Sequence, residues 1–93
     1  MRLSEWEISA IKSVIHGLDP RARIILFGSR TDDTKKGGDI DLFILSDILT
    51  AKDKRTIKIG LDEKIGEQKI DILIDPDAGT PLGRVAMNEG IEL

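Results

Sequence analysis

Apolar residues recur every three or four positions near the start of the chain, a spacing that places them on one face of an α-helix. This pattern predicts a first helix over residues 5–16. Ser4 and Glu7 have the spacing of a capping box at its start. Gly17 and Pro20 are expected to end the helix.

Two further helices are predicted later in the chain. Helical spacing of apolar residues returns over residues 51–65, and Thr50 can cap this second helix. Thr80 and Pro81 have the pattern of an N-cap followed by a proline in the first helical position. They predict a short last helix that ends near Gly90.

Three short segments rich in β-branched and aromatic residues predict strands over residues 21–27, 39–45 and 69–74. The order is therefore α-β-β-α-β-α, an α/β (α+β) fold in which helices pack on a small mixed sheet. The loop between the first two strands is too short for a helical crossover, so we expect an antiparallel pair. A helix connects the second and third strands, which predicts a parallel pair with a right-handed crossover. We expect residues 1–93 to form one domain, because a chain of this length can bury a single core.

This topology is expected to bring three aspartates together. Asp39 and Asp41 lie two residues apart on the second strand and therefore share one face of it. The antiparallel turn brings Gly28 and Ser29, at the end of the first strand, beside these two aspartates. A parallel third strand puts Asp71 at a similar height. We therefore predict one patch of the sheet that combines three carboxylates with a glycine turn.

The composition excludes several other kinds of function. Hydrophobic residues make up 40% and charged residues 33% of the chain, which is typical of a globular protein. The net charge is −3, so we expect no general binding of nucleic acid or anionic membranes. The absence of cysteine excludes disulfides, thiolate catalysis and cysteine-bound zinc. With no apolar signal region and no membrane-spanning segment in the sequence, we expect a cytoplasmic protein.

Clustered carboxylates are the chemical signal in this sequence. They repel one another and are costly to desolvate, unless a divalent cation offsets their charge. Alternate residues of a strand are about 6.5–7 Å apart, so their carboxylates can lean together over metal ions about 3.5–4 Å apart. Two Mg²⁺ ions held in this way would orient a triphosphate and stabilise the attacking and leaving oxygens of a displacement.

The glycine turn supplies features that suit a phosphate. Gly28 lets the backbone approach a phosphate closely, and Ser29 offers an N–H and a hydroxyl group to phosphate oxygens. Arg30 is a further candidate contact, and Lys35 and Lys36 are weaker ones. The sequence therefore predicts a nucleotide site next to the aspartates.

The order of these residues resembles a known family. Gly28 and Ser29 lie in the segment FGSR, and the nine residues 30–38 separate them from the segment DIDL at 39–42. This arrangement is similar to the GS-x(9–10)-D-x-D signature of the DNA polymerase β-like nucleotidyltransferase superfamily. Asp71 matches its third carboxylate. The resemblance is closest to the MNT group, the minimal nucleotidyltransferases of bacteria and archaea. It extends to residues 87–93, which look like the EG-x-x-L ending of that group.

The resemblance implies a role for each site residue. Asp39 and Asp41 would bind Mg²⁺. Asp71 would complete the metal site and help to activate the attacking hydroxyl, as a base or through the metal. Gly28 and Ser29 would hold the triphosphate of an NTP substrate.

The resemblance also implies a partner. MNT proteins are commonly paired with HEPN-domain proteins as antitoxin and toxin, and some members transfer AMP from ATP to a tyrosine of the partner. We therefore expect a Mg²⁺-dependent protein adenylyltransferase that acts as an antitoxin and forms a hetero-oligomer with its target. One alternative is a non-catalytic module of the same fold that binds a nucleotide or the toxin. Another is a catalytic half that needs a partner chain to supply the base-binding pocket.

Simpler interpretations exist for the individual residues. Each aspartate could be a cap or a solvated residue at a strand edge, and Gly28 could serve only its turn. The first two aspartates share their face with Phe43 and Leu45, which favours a functional role. The apolar Ile40 and Leu42 exclude an EF-hand loop, and the sequence contains no P-loop motif.

Overall fold

The computed structural model describes residues 3–28, 40–67 and 69–93. A mixed sheet carries helices on both faces. In chain order the elements are α1 (Glu5–Leu18), β1 (Arg23–Phe27), β2 (Ile40–Leu45), α2 (Asp53–Ile65), β3 (Ile70–Asp75), α3 (Pro81–Glu89) and β4 (Ile91–Glu92). This order confirms the predicted α-β-β-α-β-α arrangement and adds a short fourth strand. In the described part of the chain, no helix is long and apolar enough to cross a membrane.

The strand order in the sheet is β3-β2-β1-β4. β1 is antiparallel to β2 and β2 is parallel to β3, as the loop lengths predict. The unpredicted β4 pairs antiparallel with β1 through only two residues. It extends the sheet beyond β1, so among the described strands β3 is the edge strand on the opposite side.

The two faces of the sheet pack against different helices. Ile40, Leu42 and Ile44 belong to the main core, which also contains buried residues of α1 and α2. The alternate residue Phe43 belongs to a smaller cluster with Ile25 and with Ala86 of α3. Because side chains alternate along a strand, residue 41 lies on the same face as Phe43.

The helix ends differ from the predictions by two residues. α1 has the predicted capping box but continues through Gly17 to Leu18, where the N–H of the next residue still bonds to the helix. α2 begins at Asp53 rather than at residue 51. The reason is a separate turn, in which the N–H of Asp53 donates to the carbonyl of Thr50 at 2.9 Å. The N–H of Thr50 in turn donates to the Asp53 carboxylate at 2.7 Å.

A buried hydrogen-bond network connects the end of β2 to the loop after α1. The Ser46 hydroxyl donates to the Asp19 carboxylate at 2.6 Å and accepts from the N–H groups of Leu49 (2.9 Å) and Ile48 (3.2 Å). The other carboxylate oxygen of Asp19 accepts from the N–H of Arg21 at 3.0 Å. Asp19 and Ser46 are each only 5% exposed, so these bonds replace water around a buried carboxylate.

We expect Ser46→Ala to lower the free energy of unfolding by about 2 kcal/mol, because it removes the charge-assisted bond to a buried carboxylate. Urea denaturation monitored by circular dichroism measures this change. Ser13→Ala, at an exposed position of α1, is the control and should leave stability unchanged or slightly raised. Equal stability of the Ser46 variant and the wild type would contradict the assigned role.

An ion pair connects β4 to β1. Arg23 donates to both carboxylate oxygens of Glu92, at 2.7 and 3.1 Å, and each side chain is about half exposed. The hydrogen bond from Arg23 is the main cause that lowers the pKa of Glu92, and the same bond raises the pKa of Arg23. Because the carboxylate is favoured in the folded protein, the pair stabilises the fold at neutral pH and is lost as Glu92 becomes protonated.

Glu92→Gln should therefore lower the melting temperature slightly at about pH 7. The difference from the wild type should vanish as the pH falls below the ordinary range of a glutamate carboxylate and through the lowered pKa of Glu92. Melting curves of both proteins across this range test the sign and the pH window. A difference that does not change with pH would mean that the carboxylate charge contributes nothing.

Candidate active site

The candidate site lies where β1 ends and β2 begins. Asp41, on the central strand β2, pairs in register with Phe27 of β1 on one side and with Asp71 of β3 on the other. Residues that pair in register direct their side chains to the same face of a sheet. The structure therefore places Asp41 and Asp71 side by side on the face that α3 partly covers. Asp41 is half-buried, whereas Asp71 on the edge strand is exposed.

Gly28 lies directly against Asp41. Its φ angle is +80°, in the region that glycine adopts without strain. A β-carbon built at this position would overlap the carboxylate of Asp41. Two independent features therefore require glycine here, namely the backbone conformation after β1 and the close approach of the Asp41 side chain.

Three predicted site residues, Ser29, Arg30 and Asp39, lie outside the described residues. The weaker candidates Lys35 and Lys36 lie outside them as well. The roles given to these residues stay predictions. Of the six site residues that the sequence predicts, Gly28, Asp41 and Asp71 are described, and the structure brings these three to one end of the sheet.

The carboxylates of the described site residues suit a divalent cation. Neighbouring strands are about 4.8 Å apart, so the paired positions 41 and 71 hold two like charges close together. A cation with a preference for carboxylate oxygen, such as Mg²⁺, offsets this repulsion. Among the described residues, no group of three or more acidic, histidine or cysteine side chains forms a metal site. The predicted set includes Asp39 as well, so the described part of the chain contributes two of its three carboxylates.

A cleft of about 500 Å³ lies at the opposite end of the sheet, beside Leu45 and Ser46. It contains none of the predicted site residues. Its buried carboxylate, that of Asp19, already accepts hydrogen bonds from Ser46 and Arg21. We therefore take the end of the sheet that carries Asp41 and Asp71 as the candidate site.

Sequence reasoning missed a group of cations close to Asp71. A groove of about 350 Å³ is lined by Ile70, Asp71 and Ile72 of β3 and by Lys54, Arg55 and Lys58 of α2. The available signal was the spacing of the three basic residues, which places them on neighbouring positions of one side of a helix. Their position beside β3 depends on how α2 packs, which no local pattern records.

Comparison with known proteins agrees with this geometry. A family model described as a nucleotidyltransferase domain matches residues 8–92, nearly the whole chain. No curated protein shows a significant match. The matched region includes the end of β1, the start of β2 and all of β3, which together carry the described site residues. The chain therefore belongs to the nucleotidyltransferase domain family, whose members transfer nucleotidyl groups.

Proposed function

We propose that this protein is a Mg²⁺-dependent enzyme that transfers AMP from ATP to a hydroxyl group of a partner protein. We further propose that the partner is a HEPN-type toxin and that the transfer makes this protein an antitoxin. One observation supports the catalytic part above all others: Asp41 and Asp71 are in register on one sheet face, with Gly28 against Asp41. The AMP donor and the toxin partner are inferred from the resemblance to the MNT group.

The positions of the two described carboxylates suit different tasks. Asp41 is half-buried on the central strand, where a fixed side chain suits a ligand of the cation that accompanies the triphosphate. Asp71 is exposed on the edge strand, where an acceptor hydroxyl can approach it. Asp39 and Asp71 would complete the set of metal ligands, and Gly28 with Ser29 would leave room for the triphosphate and donate to it. Arg30 would add a further phosphate contact.

The transfer is a displacement at the α-phosphorus of ATP. The acceptor hydroxyl oxygen forms a bond to the α-phosphorus, and the bond from that phosphorus to the bridging oxygen of the β-phosphate breaks. Pyrophosphate leaves, and the Asp71 carboxylate accepts the hydroxyl proton. Bound Mg²⁺ would offset the triphosphate charge and stabilise the attacking and leaving oxygens.

The main alternative is a non-catalytic module that binds a nucleotide or the toxin. A passive binding surface does not require two carboxylates side by side, because their repulsion is unfavourable without a cation. The register of Asp41 and Asp71 therefore favours the enzyme. A third possibility is a catalytic half whose partner chain supplies the pocket for the base. It predicts transfer only in the presence of that chain.

The decisive experiment supplies the protein with Mg²⁺, a HEPN-type partner and ATP labelled at the α-phosphate. We expect label on a hydroxyl side chain of the partner, and we expect EDTA to prevent it. ATP labelled at the γ-phosphate is the control and should transfer nothing, which separates AMP transfer from phosphorylation. A stable complex that forms without label would instead support the binding module.

A further inference from the structure

In the described part of the chain, β3 pairs with a strand on one side only. The N–H of Ile40 donates to the carbonyl of Lys69 at 3.0 Å, and the N–H of Ser46 donates to the carbonyl of Asp75 at 3.0 Å. In a parallel ladder, alternate residues direct their peptide groups to the same neighbour, so the odd-numbered positions from 69 to 75 face β2. The peptide groups on the outer edge are those of Ile70, Ile72 and Ile74. No strand in the described ranges pairs with them, so they can accept another strand.

Beside this edge, α2 presents a local positive charge on a chain whose net charge is −3. Lys54 and Arg55 line the groove next to β3 and form no ion pair with any residue in the described ranges. Lys58, one turn further along, pairs with Asp62 at 2.8 Å. Both Lys54 and Arg55 lie in the first turn of α2, where the helix dipole disfavours cations. The positions of Lys54 and Arg55 therefore do not serve the stability of α2, and a negatively charged ligand in the groove would offset their charge.

We propose that this edge and groove bind an extended acidic segment of the partner protein, which adds to β3 as a fifth strand. Side chains of an added strand alternate between the two faces of the sheet. Carboxylates directed to the α2 face meet Lys54 and Arg55. The residue between two such carboxylates lies on the opposite face, beside Asp71.

This inference rests on the proposed function and defines its acceptor more closely. The target hydroxyl belongs to a serine, threonine or tyrosine flanked on both sides by acidic residues in an extended conformation. Backbone pairing with β3 supplies affinity, and the alternation of the added strand supplies the position of the hydroxyl. A second copy of this chain fits less well, because pairing of two β3 edges would bring two sets of α2 cations together.

The probe is a short fluorescein-labelled peptide in which glutamate alternates with threonine and one central threonine is replaced by tyrosine. Fluorescence anisotropy is measured without nucleotide or Mg²⁺, so that docking is tested apart from transfer. We expect saturable binding that weakens with salt. A peptide with lysine in place of glutamate should not bind. N-methylation of alternate peptide nitrogens should weaken binding about tenfold, because it removes the donors that pair with β3.

The protein variant that tests the groove is Lys54→Glu/Arg55→Glu, for which we expect peptide affinity to fall at least about tenfold. Its matched control is Arg21→Glu/Lys64→Glu, which makes the same change in net charge at exposed residues outside the groove. The control should bind the peptide nearly as well as the wild type. Melting curves verify folding, and the groove variant should be at least as stable as the wild type because it relieves the dipole conflict.

Three results would overturn the proposal. If the groove variant and its control lost the same affinity, the net charge of the protein and not the groove would cause the loss. Full binding of the N-methylated peptide would exclude strand addition. If the wild type formed dimers and the groove variant did not, the edge of β3 would bind a second copy of the chain.

The same materials separate docking from catalysis. Peptide that binds in the expected manner but receives no AMP in the presence of Mg²⁺ and ATP would leave the docking site in place and count against the transfer function. A different result is a groove variant that binds no peptide and still transfers AMP to a HEPN-type partner at the wild-type rate. This result would support the transfer function and reject the docking site.

Discussion

Replacement of Asp41 by asparagine should reduce the rate of nucleotidyl transfer by about 10²–10³-fold while the protein stays folded. The substitution keeps the shape of the side chain but removes the charge that would hold a cation next to the triphosphate. Loss of one electrostatic contact to the reacting groups has an effect of this size in other enzymes. The rate is measured as label transferred from α-phosphate-labelled ATP in a single turnover.

The stability of this variant should move in the opposite direction to its activity. Asp41 and Asp71 are paired neighbours, so removal of one charge relieves repulsion in the metal-free protein. We therefore expect an unchanged or slightly higher melting temperature in EDTA. A large drop would mean that Asp41 serves mainly the fold.

Asp75→Asn is the matched control for this experiment. Asp75 is on the same sheet face as Asp71 but at the far end of β3, where it pairs with Leu45 and accepts a hydrogen bond from the N–H of Asp77. Its loss should leave transfer near the wild-type rate. Asp71→Asn, in contrast, should lower the rate like Asp41→Asn. Equal effects of the substitutions at positions 71 and 75 would contradict the assignment of the site to the start of β2.

The elements with strong local signals could be predicted from the sequence. The capping box of Ser4 and Glu7 marks the start of α1, and both of its hydrogen bonds are present. The alternation around Asp41 fixes which residues face each side of the sheet, and loop lengths fix the strand directions. These features depend on neighbours in the sequence, which explains why reading the sequence recovers them.

Features that depend on tertiary contacts could not be predicted. β4 has two residues and forms because Ile91 and Glu92 meet β1, with the Arg23 ion pair as reinforcement. The start of α2 depends on how Thr50 and Asp53 share hydrogen bonds in the preceding turn. The pattern of neighbouring residues in the sequence indicates neither of these contacts.

The candidate site combines both kinds of information. The sequence predicts that the aspartates share a face, but the pairing of Asp41 with Asp71 depends on the length and packing of the α2 crossover. The sequence also predicts that Gly28 suits a phosphate. It does not reveal that the glycine is needed for the position of the Asp41 side chain, since that contact joins two strands.

Gly28→Ala should therefore lower both stability and activity. The positive φ angle disfavours alanine by about 1 kcal/mol, and the new methyl group must displace the Asp41 carboxylate. We expect a loss of about 1–2 kcal/mol in the free energy of unfolding and a decrease of at least about tenfold in the transfer rate. Chemical denaturation and the single-turnover assay measure the two effects on the same preparation.

Gly66→Ala separates the backbone effect from the side-chain effect. Gly66 has a φ angle of +84°, close to that of Gly28, but a β-carbon there meets no atom within 4 Å. Its ψ angle of 171° completes a conformation that almost only glycine adopts, so its substitution should cost about 1–3 kcal/mol of stability and leave transfer unchanged. A second test adds Asp41→Ala to Gly28→Ala, which should restore the stability lost to the overlap but not the activity. If Gly28→Ala instead behaved like Gly66→Ala in both assays, the glycine would serve only the turn, and the contact with Asp41 would have no part in catalysis.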